Sequence, residues 1–295
     1  MYSKATKECP TPERSLVRAF TRAFGATACL VLSIASGQSP GIEYETMSGL
    51  IDRGSQAFAQ GDYAQAANAF RKLQSLYSDE PDWRESRLDE KVMPLAGYAA
   101  LKAGLYEQAI DSLETFLQQE KTDYSQETFA KYSIALALKR KGDLPAALEA
   151  FASFRETSHS LSQQSIARIH EADILLKTEA GDEALAILSS IVDSETAIRV
   201  KTQARLLAVR EYLDRKDYAN LSRLLIGDTW DSDTMPEMAL LAFLSIEAGD
   251  AFLENDLARD ALKAYQLVPS KETLIAQKST KLDEVKSIFE SRRQT

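Results

Sequence analysis

The stretch AQGDYAQAANAFRKL, residues 59–73, is followed by two near-copies of itself: KAGLYEQAIDSLETF at 102–116 and RKGDLPAALEAFASF at 140–154. Aligned on Gly61, Gly104 and Gly142, the copies agree at fixed distances. Seven residues before each glycine stands a small residue: Gly54, Gly97 and Ala135. Five after it stands alanine: Ala66, Ala109 and Ala147. Nine and twelve after it stand large apolar residues: Phe70 and Leu73, Leu113 and Phe116, Phe151 and Phe154. Offsets of five, nine and twelve fall on one face of a 3.6-residue helix. Glycine ends the preceding helix, because it takes a left-handed conformation without steric cost. Each copy therefore reads as a helix, a turn and a second helix, with small residues allowing close approach. One such hairpin cannot bury its apolar face alone, and stacked neighbours can.

Composition agrees with a helical chain. The 295 residues include only 12 glycines and 8 prolines, too few turn formers for a sandwich or barrel. A net charge of −9 argues against nucleic acid as a partner, since phosphate neutralisation needs a basic face. The two cysteines, Cys9 and Cys29, have no metal-binding or redox spacing.

The turn GDYAQA, with Gly54 before it and Phe70 after it, resembles the tetratricopeptide repeat (TPR) family, as do GLYEQA and GDLPAA. Further on, the pattern degenerates. AGDEALAIL (180–188) keeps Gly181 and Ala184 but has lost residues at the turn. RKDYANLSRLL (215–225) puts Lys216 where glycine would stand, and ENDLARDALKAY (254–265) carries one extra residue. The turn spacings of 43, 38 and 39 residues exceed the family's period of about 34. The surplus shows in the connector SDEPDWRESRLDEKVMP (78–94), where Pro94 is expected in the first turn of a helix. The resemblance implies an all-α, right-handed superhelical solenoid of about six TPR-like hairpins over residues 38–268.

The ends of the chain read differently. Residues 1–24 carry Lys4, Lys7, Arg14, Arg18 and Arg22 against Glu8 and Glu13, and GATACLVLSIAS (25–36) is apolar. A basic head, a short apolar run and a small-residue exit form a secretory signal, with cleavage expected after Gly37. The run is shorter than the roughly 20 residues that span a bilayer. An uncleaved anchor is the alternative. Long-period repeats behind such a signal resemble periplasmic TPR proteins of the bacterial envelope. Residues 269–295 open on Ser270 as an N-cap and carry an apolar stripe of Leu274, Ile275, Leu282, Val285, Ile288 and Phe289. They are expected to form a C-terminal capping helix, a terminal repeat with a polar outer face.

No nucleophile–base pair, phosphate loop or dinucleotide fingerprint appears. His159 and His170 lie too far apart for a metal-binding pair on one helix turn. The acidic GDTWDSDTMPE (227–237) lacks the glycine and terminal glutamate of a calcium loop. Thr234 and Glu237 are better placed as a capping box, with Trp230 as a loop anchor. The expected function is a non-catalytic interaction scaffold of the cell envelope, without cofactor, metal or small-molecule substrate. An enzyme lacking a recognisable motif is the alternative from another class. By the resemblance, first helices line a concave groove for a protein or peptide. Tyr98, Leu101, Lys102, Tyr132, Leu136, Lys139, Arg140, Lys177 and Arg210 would line it. Its four lysine and arginine positions up to Lys177 favour an acidic, extended partner.

Overall fold

The computed structural model describes residues 46–118, 124–178, 180–227, 230 and 237–270. The expected signal segment, both cysteines and all of the expected capping helix beyond Ser270 lie outside the described residues. All regular structure among the described residues is α-helical. The helices are α1 (Met47–Gln60), α2 (Tyr63–Tyr77), α3 (Pro81–Glu85), α4 (Leu88–Lys102), α5 (Tyr106–Leu117), α6 (Tyr124–Lys141) and α7 (Leu144–Thr157). After them come α8 (Leu161–Lys177), α9 (Gly181–Val192), α10 (Ile198–Asp214), α11 (Tyr218–Ile226), α12 (Met238–Glu254) and α13 (Ala258–Gln266). The described residues form two compact units, divided between Ala167 and Arg168.

In the first unit the hairpins are α1/α2, α4/α5 and α6/α7, and each second helix packs on the next first helix, α2 on α4 and α5 on α6. In the second unit α10/α11 and α12/α13 form hairpins and α9 packs on α10.

One backbone device makes the turns. Gly61, Gly104 and Gly142 have φ of 80°, 80° and 93°. The next N–H in each case donates to the carbonyl five residues back: Asp62 to Ala57, Leu105 to Ala100, Asp143 to Leu138. This bond closes a helix whose last residue is left-handed. Asp217 to Tyr212 and Leu257 to Phe252 repeat it, with Lys216 (φ 58°) and Asp256 (φ 60°) at the left-handed position. Ala180 to Leu175 repeats it too.

That bond corrects two readings of the sequence. The fourth turn does not fall at Gly181, because the Ala180 N–H already donates to the Leu175 carbonyl. Ala184, Leu188 and Ile191 stand four, eight and eleven residues after Ala180, as Ala66, Phe70 and Leu73 stand after Asp62, and all are buried. Gly181 is instead the first residue of α9, and its bare Cα makes room for the Arg215 guanidinium; a Cβ there would stand 1.8 Å from Nη2. In the sixth hairpin there is no extra residue. Asp256 holds the turn, which puts Gly249 seven before and Ala261 five after. Aspartate tolerates the left-handed conformation better than most residues.

The aspartate that follows the turn caps the second helix. Asp62, Asp143 and Asp217 accept from the backbone N–H of Gln65, Ala146 and Asn220 at 3.0, 3.3 and 3.2 Å. This satisfies one of the orphan donors at each helix start.

Two further expectations are revised. Pro94 lies inside α4, not in its first turn, because the helix starts at Leu88 behind left-handed Arg87, which pairs with Glu90. Burial of Leu88 and Val92 offsets the backbone bond that proline removes. Glu237 is not the third residue of a capped helix. It immediately precedes α12, and its carboxylate accepts from the Gln203 side chain at 2.9 Å and lies 3.7 Å from Arg199. Thr234 lies outside the described residues.

Candidate functional site

The first helices of the first unit bring the expected groove residues onto α4 and α6, but divide them by burial. Tyr98, Leu101, Tyr132 and Leu136 are 7%, 2%, 9% and 8% exposed, so their side chains pack within the unit instead of presenting a surface. Tyr98 sits in an aromatic cluster, with ring centroids 6.0 Å from Phe58, 6.5 Å from Tyr63 and 5.4 Å from Phe129. Tyr132 packs against Phe151 and Phe154 at 6.3 and 5.2 Å. The sequence places these tyrosines on the first helix, but it does not reveal that neighbouring helices cover them.

The charged members stay outside. Lys102 is exposed, and its ammonium stands 5.7 Å from the Tyr63 ring centre and 5.9 Å from that of Tyr98. That geometry holds a cation against ring faces. Arg140 is exposed and Lys139 half-buried at the end of α6. Beside them Lys141 reaches Glu107 of the preceding hairpin at 3.2 Å. The end of α6 thus gathers three consecutive cations, where the helix dipole favours positive charge.

In the second unit the electrostatics differ. Lys177 is exposed and pairs with Asp173 at 3.1 Å, one turn back on α8. Arg210 pairs with Asp214 at 3.0 Å and Glu247 at 3.4 Å. A shallow recess of about 310 Å³ between α10 and α12 surrounds Arg210 with Asp214, Glu247, Asp250 and Glu254. The guanidinium there sits in an acidic surround. A second recess of about 240 Å³ lies over α10 between α9 and α11, with Leu185, Val192 and Leu224 on its walls.

Arg205 was missed by sequence reasoning. It is 7% exposed, its Nε donates to the Leu224 carbonyl at 2.7 Å, and its guanidinium lies 3.7 Å from the Trp230 ring centre. Trp230 in turn donates Nε1–H to the Leu225 carbonyl at 2.8 Å. Trp230 thus anchors the loop after α11, as expected. The available signal for Arg205 was its spacing: Thr202, Leu206 and Val209 mark the buried face of α10, and Arg205 lies on it.

His159 stacks on Tyr124, with centroids 4.8 Å apart and rings 9° from parallel. The Tyr124 hydroxyl donates to the Thr157 carbonyl and accepts from the His159 N–H, which ties the start of α6 to the α7–α8 connector. Among the described residues, no group of three or more His, Cys, Asp or Glu is placed to hold a metal ion. Also among them, no helix is long and apolar enough to cross a membrane.

No family model matches the sequence, and no curated protein matches it. Among solved structures the chain is similar to MamA, at 14% identity and a TM-score of 0.38, over 76% of this chain and 96% of that one. It is similar to the apo form of RapI, at 14% identity and a TM-score of 0.47, over 75% and 96%. It is similar also to a tetratricopeptide repeat protein from Parabacteroides merdae, at 14% identity and a TM-score of 0.46, over 81% and 96%.

Proposed function

We propose that this chain is an exported, non-catalytic scaffold of the bacterial cell envelope that holds a protein or peptide partner on the first-helix face of its hairpins. The observation that supports this most is the cationic group of the first unit. Lys102 is poised over two tyrosine rings, and Lys139, Arg140 and Lys141 close the end of α6 on a chain of net charge −9. Local positive charge on an acidic protein steers an acidic, extended segment toward that face, while the acidic remainder of the surface repels it. Each exposed cation contributes little by itself, about 0–1 kcal/mol. The set therefore acts on association rate more than on affinity.

The test is capture from an envelope extract by the parent and by the Lys139→Glu, Arg140→Glu double variant, followed by rate measurement on the captured partner. Slower association of the double variant at low salt, with the difference closing at high salt, is expected. Equal on-rates at low salt would remove this face from consideration. Amino-terminal sequencing of the native protein addresses export. A mature chain starting at Gln38 is expected, and an intact Met1 in the membrane fraction would favour the anchored alternative.

A further inference from the structure

The arginines of α10 and its C-cap are all engaged. Arg199 lies 3.7 Å from Glu237, and Arg205 rests on Trp230 and donates to the Leu224 carbonyl. Arg210 pairs with Asp214 and Glu247, and Arg215 with Asp182 and Glu211. Arg223 on α11 differs. Its Nη2 donates to the Asn220 side-chain oxygen at 3.5 Å, and among the described residues it forms no ion pair. Arg223 lines the recess of about 240 Å³ over α10, and Asp193 lines the opposite wall. Asp193 is exposed, caps the C-terminus of α9 and forms no ion pair among the described residues either. An acid at that end of a helix is opposed by the dipole, so the wall it stands on favours a cation twice over.

The repeat register shows why the second unit has room here. Eleven residues after the left-handed turns stand Lys72, Thr115, Ser153, Gly227 and Leu267, and Gly227 alone brings no side chain. Four residues before the same turns stand Ala57, Ala100, Leu138, Tyr212 and Phe252, and Tyr212 alone brings a hydroxyl. Gly227 and Tyr212 both line the recess, with Val192 and Leu224 as apolar wall. A volume below the roughly 300–1,000 Å³ of drug-sized sites sets the scale of the ligand as small.

We propose that this recess on the second-helix face binds a short apolar peptide with both ends free, of the size of a dipeptide. Its carboxylate meets the Arg223 guanidinium, which presents a planar fork suited to two oxygens. Its ammonium meets Asp193, and its side chains lie against Val192 and Leu224. The Tyr212 hydroxyl is a donor and acceptor for the peptide bond between them. The two charges stand on different helices, so a ligand with separated ends uses both and a single amino acid does not. The site is built from α9, α10 and α11, apart from the cationic group of α4 and α6, and the two readings stand or fall separately.

Backbone-amide NMR of the full chain, titrated with dileucine, tests it. Saturable shifts at Ser189, Val192 and Gly227 are expected. Arg223→Gln and Asp193→Asn should each weaken dileucine binding about tenfold, with circular dichroism unchanged because both side chains are exposed. N-acetyl-dileucine lacks the ammonium, so it should bind the parent as weakly as dileucine binds Asp193→Asn, and Asp193→Asn should weaken it no further. Tyr212→Phe should weaken dileucine binding by a smaller factor. The absence of saturable shifts would overturn the proposal, as would parent-like binding by both charge variants. Free leucine binding as tightly as dileucine would also overturn it, since one wall of the site would then be idle.

Discussion

Gly249 lies beneath the Tyr265 ring so closely that a Cβ on it would stand 2.4 Å from the ring edge. The same pair of positions, seven before and nine after the turn, holds Gly54 under Phe70 and Gly97 under Leu113, with built Cβ distances of 2.5 and 2.4 Å. Where the first position is Ala135, its partner Phe151 is still fully buried, so the helices there accept one methyl group. The contact sets how near the two helices of a hairpin come.

Gly97→Ala should therefore destabilise the protein. The added methyl meets Leu113 in a packed interior, and overpacking of this kind costs about 1–3 kcal/mol. Ala109→Leu, at a position that is 0% exposed, should cost a similar amount, about 1–3 kcal/mol. Urea denaturation of each variant checks this, and an unchanged midpoint would mean that the helices separate freely.

Lys216→Gly should do the reverse. Lysine at φ 58° carries the steric cost of the left-handed region, about 1–2 kcal/mol per residue, and glycine does not. Part of that gain is lost to the greater freedom of glycine in the unfolded chain, so a net stabilisation of about 0.5–1 kcal/mol is expected. A variant less stable than the parent would show that the lysine side chain holds the turn in another way.

Asp217 gives a pH dependence. The Asn220 side chain and backbone N–H both donate to its carboxylate and hold its pKa below the ordinary 3.8. A carboxyl group whose folded pKa is lowered stabilises the fold above its unfolded value, and that contribution fades as pH falls through the folded value. Asp217→Ala should therefore lower the melting temperature at pH 7, and the gap to the parent should narrow below pH 3.8. A gap that stays constant down to acid unfolding would assign the effect to helix propensity instead of the charge.

Trp230→Phe should loosen the loop after α11. It removes the bond to the Leu225 carbonyl, a loss of about 0.5–1.5 kcal/mol, and weakens the stacking of Arg205. Thermal unfolding and proteolysis near residue 230 read the two effects, and unchanged values in both would show that Arg205 is held by its backbone bond alone.

The hairpins were legible because their signals are local. Gly61, Ala66 and Phe70 fall within ten residues, and the left-handed turn needs a particular residue type. The turn at Asp256 was harder, since another residue can take the left-handed position when the i to i−5 bond and the buried offsets around it remain. The surface was the least legible part. Tyr98 and Lys102 both stand on α4, one turn apart, yet one is buried by α1, α2 and α6 and the other is exposed. Which residue faces outward is decided by neighbours 30 or more residues away, and helix periodicity does not record them. Arg205 failed for the same reason, because a cation on an apolar face looks like a surface residue until its tryptophan is found.

The left-handed turn residue also acts as a ruler. The left-handed turn positions 61, 104 and 142 are separated by 43 and 38 residues, and 216 and 256 by 40. The variation falls outside the span from seven before to nine after each of these turns, which keeps its length in all five of these hairpins. The differences in repeat length thus fall in the connectors, where added chain costs little. The chain can change length in two ways: by editing a connector, or by gaining or losing a whole hairpin. A single residue inserted within α5, between Tyr106 and Leu113, would rotate every later side chain of that helix by about 100° and expose its buried stripe. Recombination between related chains would accordingly succeed at the junctions around residues 158–160 and 193–197, and fail inside the hairpins.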